Sequence, residues 1–336
     1  INSYFNYVLI MFKKSLLILL FIAVFKNAYS SENLILEGNF FPEGIAISRN
    51  GDIYVGSLKH NKIVKFKKKD SNHQDFIEAN TNGLMSVIGI LSDDRNKILW
   101  ACSSSPGVSN YPKGDNVVSL KAFDLNNGSL LNSYQFPNGG FCNDITIDSN
   151  DNIYATDSFN PRILRLNKSS SRLEVWYENE AFKGEGFNLD GITFIDGKIY
   201  TVKMNSGELF RINVGINGKP EKFAKIDLQR SLNAPDGVKA IDKNNLLVVE
   251  NRSEGTWKGA LTKINLKDNS LNILKDNLDT PTTVAIKGNS AWVLQAQFDH
   301  LFGDKKDISP DPFEIVKVQV KPSFLTSFKK LLNFLK

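Results

Sequence analysis

Six residues with oxygen-bearing side chains recur at one point of a repeated phrase, and four of them are hard donors suited to a divalent cation. The clearest copies of the phrase are FPEGIAISRNGDIYVGS (41–57) and FCNDITIDSNDNIYATDS (141–158). Looser copies run over 86–104, 189–203, 235–251 and 282–297. Aligned on their apolar residues, they set Glu43, Ser86, Asn143, Asp190, Asp236 and Thr282 in one column. Taken singly, each reads as a turn former or strand-end cap. Sharing one column, Glu43, Asn143, Asp190 and Asp236 read as a metal site, and an all-oxygen set favours calcium over zinc or copper. The only histidines are His60, His73 and His300, so no Cys/His cluster competes with that reading.

The elements that must position this column are strands. In each phrase apolar residues alternate and an Asn-Gly or Asp/Asn cluster then turns the chain, as in Ile45, Ile47, Asn50-Gly51-Asp52 and Ile53-Tyr54-Val55. A third strand follows at 62–66, 163–166, 209–212 and 261–264, and a fourth at 173–176 and 271–274. The last four column positions lie 47, 46 and 46 residues apart, a spacing that marks stacked supersecondary units. The pattern predicts an all-β chain, a six-bladed β-propeller with four-stranded blades over 31–322. A β-sandwich would not keep that period. Leu34-Ile35-Leu36 and residues 314–318 lie outside the repeats and are expected to pair and close the ring.

Antiparallel order returns the ends of the second strands to the face of the column. That nominates Asp157, Lys203, Arg252 and Gln297 for substrate binding and His300 as a proton shuttle, around a cleft for a small polar or anionic substrate. The insertion 104–115 leaves the same face as a candidate lid.

With 41% hydrophobic and 23% charged residues among 336, the composition is that of a globular protein. The net charge of +5 is spread over scattered lysines, which argues against a nucleic-acid partner. From Met11, Lys13-Lys14, an apolar run from Leu16 to Phe25 and Ala28-Tyr29-Ser30 compose a signal peptide over 11–30, so export to a periplasmic or extracellular location is expected. A retained signal anchor is the alternative, though the run is short for a membrane span. Cys102 and Cys142 fall at different points of the phrase, which favours two buried free thiols over a disulfide. The tail, 323–336, places Phe324, Phe328, Leu331, Leu332 and Leu335 on one face of an amphipathic, basic helix. Such a helix either packs on the propeller or settles on an anionic membrane surface.

FPEGIAIS, FCNDITIDSNDNIYATDS, LDGITF and APDGVKAID resemble the calcium-dependent six-bladed propellers of the gluconolactonase/regucalcin (senescence marker protein) group, related to paraoxonases and diisopropylfluorophosphatases. The resemblance covers about 34–320. It implies a metal held by Glu from the first blade, Asn from the third, Asn from the fourth and Asp from the fifth. Glu43, Asn143 and Asp236 match, whereas Asp190 stands where the group has Asn. It also implies hydrolysis of a small-molecule lactone, aryl ester or phosphotriester, with Asp236 as base or nucleophile. Two other readings stay open: a non-enzymatic propeller whose calcium pins the blades around a ligand or protein site, and a strictosidine-synthase-like propeller that needs no metal.

Overall fold

The computed structural model describes residues 33–109 and 117–321. The expected leader (11–30), the second half of the expected lid (110–115) and the expected tail helix (323–336) lie outside the described residues. Within them the chain opens with β1 (Leu34–Leu36) and then runs through six sheets. Blade 1 is β2 (Pro42–Ile47), β3 (Ile53–Ser57), β4 (Ile63–Phe66) and β5 (His73–Ile77). Blade 2 is β6 (Ser86–Asp93), β7 (Ile98–Ser104), β8 (Ser119–Asp124) and β9 (Leu130–Gln135). Blade 3 is β10 (Cys142–Ile147), β11 (Ile153–Asp157), β12 (Arg162–Leu166) and β13 (Glu174–Glu178). Blade 4 is β14 (Leu189–Ile195), β15 (Lys198–Lys203), β16 (Glu208–Val214) and β17 (Pro220–Ile226). Blade 5 is β18 (Pro235–Asp242), β19 (Asn245–Glu250), β20 (Lys258–Asn265) and β21 (Ser270–Asp279). Blade 6 is β22 (Pro281–Lys287), β23 (Ser290–Gln295) and β24 (Phe313–Gln319), completed by β1.

That last sheet closes the ring as expected. Leu34 pairs with Ile315, Ile35 with Glu314 and Leu36 with Phe313, so the first strand becomes the outermost strand of the last blade. Closure gives the last blade its fourth strand, so all six sheets keep four strands. Thr282 adds a side-chain stitch across the same seam, its hydroxyl donating to the Glu43 carbonyl at 3.1 Å.

Burial explains the sequence pattern. Second strands are covered on both faces by neighbouring blades, and β3 (IYVGS) and β11 (IYATD) are buried at every residue. Outermost strands meet water, and β9 (LLNSYQ) is exposed along nearly its whole length. Turns are held by the Asx residues that flagged them. The Asp148 carboxylate accepts from Asn150 N, Asn152 N, Asn152 Nδ2 and the Tyr154 hydroxyl, which fixes the β10–β11 turn.

The cysteines depart from expectation. Cys102 on β7 and Cys142 on β10 form a disulfide, with Cα atoms 5.2 Å apart, that ties blade 2 to blade 3. The two strands are neighbours across the blade interface, a proximity set by the stacking of repeats rather than by position within the phrase.

Candidate functional site

All six innermost hairpins break register at the same place. The irregularities fall between Pro42 and Ile45, Val87 and Ile90, Cys142 and Ile145, Leu189 and Ile192, Pro235 and Val238, and Pro281 and Val284. A bulge lifts its residues out of the ladder and re-aims their side chains. The residues it presents in equivalent register are Glu43, Ile88, Asn143, Asp190, Asp236 and Thr282. Blade 2 therefore contributes Ile88 and not Ser86. Ser86 pairs with Ser104 and its hydroxyl reaches the Leu58 carbonyl.

The next residue in each strand sets how tightly the blades close on the axis. At Gly44 a Cβ would sit 2.1 Å from Ile88 O, at Gly89 2.4 Å from Asn143 O, and at Gly191 2.3 Å from Asp236 O. Glycine at these positions is a requirement of packing. Blade 3 carries Asp144 there instead. Its buried carboxylate accepts from Ile192 N at 3.0 Å and pairs with Lys239 Nζ of blade 5 at 2.7 Å.

Glu43, Asn143, Asp190 and Asp236 come together at the floor of a cavity of about 250 Å³. Asn143 donates its amide N–H to Ser158 Oγ at 2.9 Å, leaving its side-chain oxygen for the axis. The Asn251 amide donates to Asp236 Oδ2 at 3.2 Å and to the Pro281 carbonyl at 3.1 Å, so it orients Asp236 from blade 5 itself. Burial pushes the Glu43 and Asp236 carboxyls well above the carboxylate range, and the neighbouring Asp190 and Asp144 push both further. Burial, then Asp144, raises Asp190 to about 7. The Asp190 and Asp236 carboxyls act on one another, and their mutual interaction lowers Asp190 while raising Asp236.

Among the described residues, no group of three or more His, Cys, Asp or Glu side chains is already disposed to hold a metal ion. The donor set nevertheless fits a hard cation. Glu43 Oε2 and Asp190 Oδ1 are buried oxygens without a hydrogen-bond partner, a costly condition that a cation would relieve. The other two donors, the Asn143 amide oxygen and the Asp236 carboxyl, are oxygens as well.

The cavity walls differ from the polar cleft expected. Leu58, Ile88, Pro106, Phe141, Phe187, Met204, Phe298 and Phe302 line them, with Asn251 and Arg252 as the polar wall residues. Phe141, Phe159 and Phe187 form an aromatic cluster with ring centroids 5.0–5.3 Å apart. Arg252 lies over the Trp257 ring at 4.8 Å. Pro106, the start of the expected lid, reaches the cavity.

Of the residues nominated for the rim, Arg252 lines the cavity and the others are engaged elsewhere. Asp157 is fully buried, pairs with Arg162 at 2.9 Å and accepts from the main chain of Phe141, Phe159 and Asn160. Lys203 Nζ caps the Ala181 and Lys183 carbonyls at the end of a short 3-10 helix, Glu180–Phe182. The Gln297 amide makes two bonds to the Asp311 backbone and pins a loop. His300, in the short helix α1 (Asp299–Phe302), turns Nδ1 to the Ile308 carbonyl at 2.8 Å. Phe298 and Phe302, flanking His300, face the cavity in its place. The strand-end rule failed because these segments leave the sheet in tight turns, where polar side chains satisfy local backbone. Asp144 and Lys239 were missed, although Asp144 had a signal in its break of the glycine column. Asn251 lies at the strand end that the rule brought to this face, beside the nominated Arg252.

No protein-family model matches the chain, and no curated protein sequence matches it either. Solved structures do. A gluconolactonase from Xanthomonas campestris superposes with TM-score 0.60 at 11% identity, covering 84% of this chain and 88% of that one. A luciferin-regenerating enzyme gives TM-score 0.61 at 12% identity over 85% and 95%. Virginiamycin B lyase from Staphylococcus aureus gives 0.55 at 16% over 86% and 99%. At these identities the likeness is one of fold.

Proposed function

We propose that this propeller is a calcium-dependent hydrolase of a lactone or ester that carries an apolar group, with the ion held by Glu43, Asn143, Asp190 and Asp236. One observation carries the reading. Three carboxyls meet at the floor of an apolar cavity, and two of them keep a buried oxygen with no partner. The structural likeness to a gluconolactonase supports it as analogy of fold.

Calcium, when bound, would polarise the substrate carbonyl and stabilise the charge that develops on its oxygen. Asn251 holds Asp236 in place, and Asp236, ionised once a cation offsets the neighbouring carboxylates, takes the proton of the attacking water. Phe141, Phe187, Phe298 and Phe302 bind the apolar group and keep bulk water from the floor. Arg252 at the wall offers its charge to the carboxylate product. The third carboxylate, Asp190, strengthens cation binding and weakens the pull on the substrate oxygen. An exported location agrees with the buried disulfide as well as with the leader-like segment at 11–30.

Hydrolysis of aryl and alkyl lactones, esters and phosphotriesters, measured with calcium and with chelator, tests the proposal. Calcium-dependent turnover that rises with the apolar group supports it. Calcium-dependent stability without turnover replaces it with a binding module, and indifference to chelator removes the metal.

A further inference from the structure

At the end of the blades remote from the ring, blades 2 and 3 part around a second cavity of about 260 Å³. Trp100 on β7 and Tyr134 on β9 line it, with ring centroids 6.0 Å apart and planes inclined by 36°. Ile153 and Leu166 complete an apolar floor, and Asn167 and Ser170 stand at the rim. Trp100 is only 5% exposed, and its indole N–H has no acceptor.

The neighbouring blade interfaces do not leave such a donor open. Tyr54, which occupies the register of Trp100 in blade 1, reaches the Leu125 carbonyl of blade 2 at 3.4 Å. Between blades 3 and 4, Trp176 donates its indole N–H to the Gly218 carbonyl at 2.8 Å. Both acceptors sit in the turn between the third and fourth strands of the following blade. In blade 3 that turn brings side chains to the cleft, and no carbonyl caps Trp100. A buried donor without an acceptor is a standing cost, and a ligand oxygen in the cleft would remove it.

We propose that this cleft binds a single neutral sugar ring, as a monosaccharide or the terminal residue of a glycan. Two aromatic faces offer a surface for the C–H face of a pyranose. The indole N–H requires an acceptor, and at the rim Asn167 Oδ1 holds Ser169 N while the Ser170 hydroxyl bonds the Arg172 main chain, which leaves the Asn167 amide N–H as the rim donor to a sugar hydroxyl. Of the acidic groups at the cleft, Asp151 pairs with Lys168 at 2.7 Å and with Arg95 at 3.0 Å, and the Asp93 carboxylate accepts from the Asn96 main chain and amide, so the cleft asks for no charged ligand.

The test follows the indole N–H resonances of the chelator-treated protein during titration with methyl glycosides of glucose, galactose, mannose and N-acetylglucosamine. Chelator keeps the ring site out of the measurement. At least one glycoside should shift the Trp100 resonance saturably, with a dissociation constant on the order of 1 mM. Trp100→Phe, which keeps an aromatic ring and loses the N–H, should weaken binding about tenfold, read for the variants by calorimetric titration with the same glycoside. Asn167→Ala, in an exposed turn, should weaken it also and covers the case in which Trp100→Phe fails to fold. Asp236→Asn should leave it unchanged. No saturable shift with any of the four glycosides, or equal affinity in both cleft variants, would mean that water alone fills the cleft and would overturn the proposal.

Discussion

Removing divalent cations should make the stability of this protein fall as pH rises through neutrality. Glu43, Asp190 and Asp236 are buried together, and burial followed by mutual repulsion raises all three carboxyls. A carboxyl with a raised folded pKa binds more protons folded than unfolded. Its stabilising contribution is therefore complete below the unfolded value and is lost as pH climbs through the folded one. For Asp190 the window runs from the ordinary 3.8 to about 7. Each factor of ten in proton affinity is worth about 1.4 kcal/mol, so Asp190 alone accounts for about 4 kcal/mol of lost stability. Glu43 and Asp236 extend the loss to higher pH. Asp52, Asp242 and Glu250 have lowered values and act with the opposite sign, but only in acid below the ordinary carboxylate range. His60, lowered chiefly by burial, opposes the trend below pH 6.5 and is removed by a His60→Gln background. Urea-unfolding midpoints measured from pH 5 to 8 in chelator should thus decline, and saturating calcium should flatten the profile. Calcium at a hundred times its dissociation constant adds about 2.7 kcal/mol, and that gain should grow with pH. A level chelator profile across the window would refute the electrostatic account of the ring.

Three further outcomes are expected. Reducing Cys102–Cys142, or replacing both with serine, reopens a loop of 40 residues and should cost about 4 kcal/mol in the chain-entropy account, read from denaturation with and without reductant. Gly44→Ala drives a Cβ to 2.1 Å from the Ile88 carbonyl and should destabilise the fold by about 3 kcal/mol, whereas Gly38→Ala, with its nearest neighbour at 4.0 Å, should be near neutral in the same thermal melt. Asp190→Asn removes the third carboxylate and should weaken calcium on the order of tenfold while raising kcat, both read from calcium-dependent kinetics.

The ring was legible in the chain because a bulge and a small residue recur with each repeat, so Glu43, Asn143, Asp190 and Asp236 surfaced from spacing alone. Blade 2 was misread for a physical reason. A slip of two residues keeps every strand side chain on its own face, so alternation could not tell Ser86 from Ile88. Gly89, facing Asn143 O as Gly44 faces Ile88 O, carried the correct register. The walls were less legible. Phe187, Phe298 and Phe302 come from connections between strands, which share no period, and Asp157 resembles a site residue while its carboxylate holds a turn. The disulfide joins neighbouring blades, and that proximity exists only once the repeats are stacked.

Calorimetric titration of calcium into chelator-stripped protein tests the central claim most directly. One ion should bind per chain, with proton release as the ring carboxyls ionise, and Asp236→Asn should abolish binding while the fold persists. Absence of binding to the wild-type chain, or equal binding by Asp236→Asn, would contradict the account.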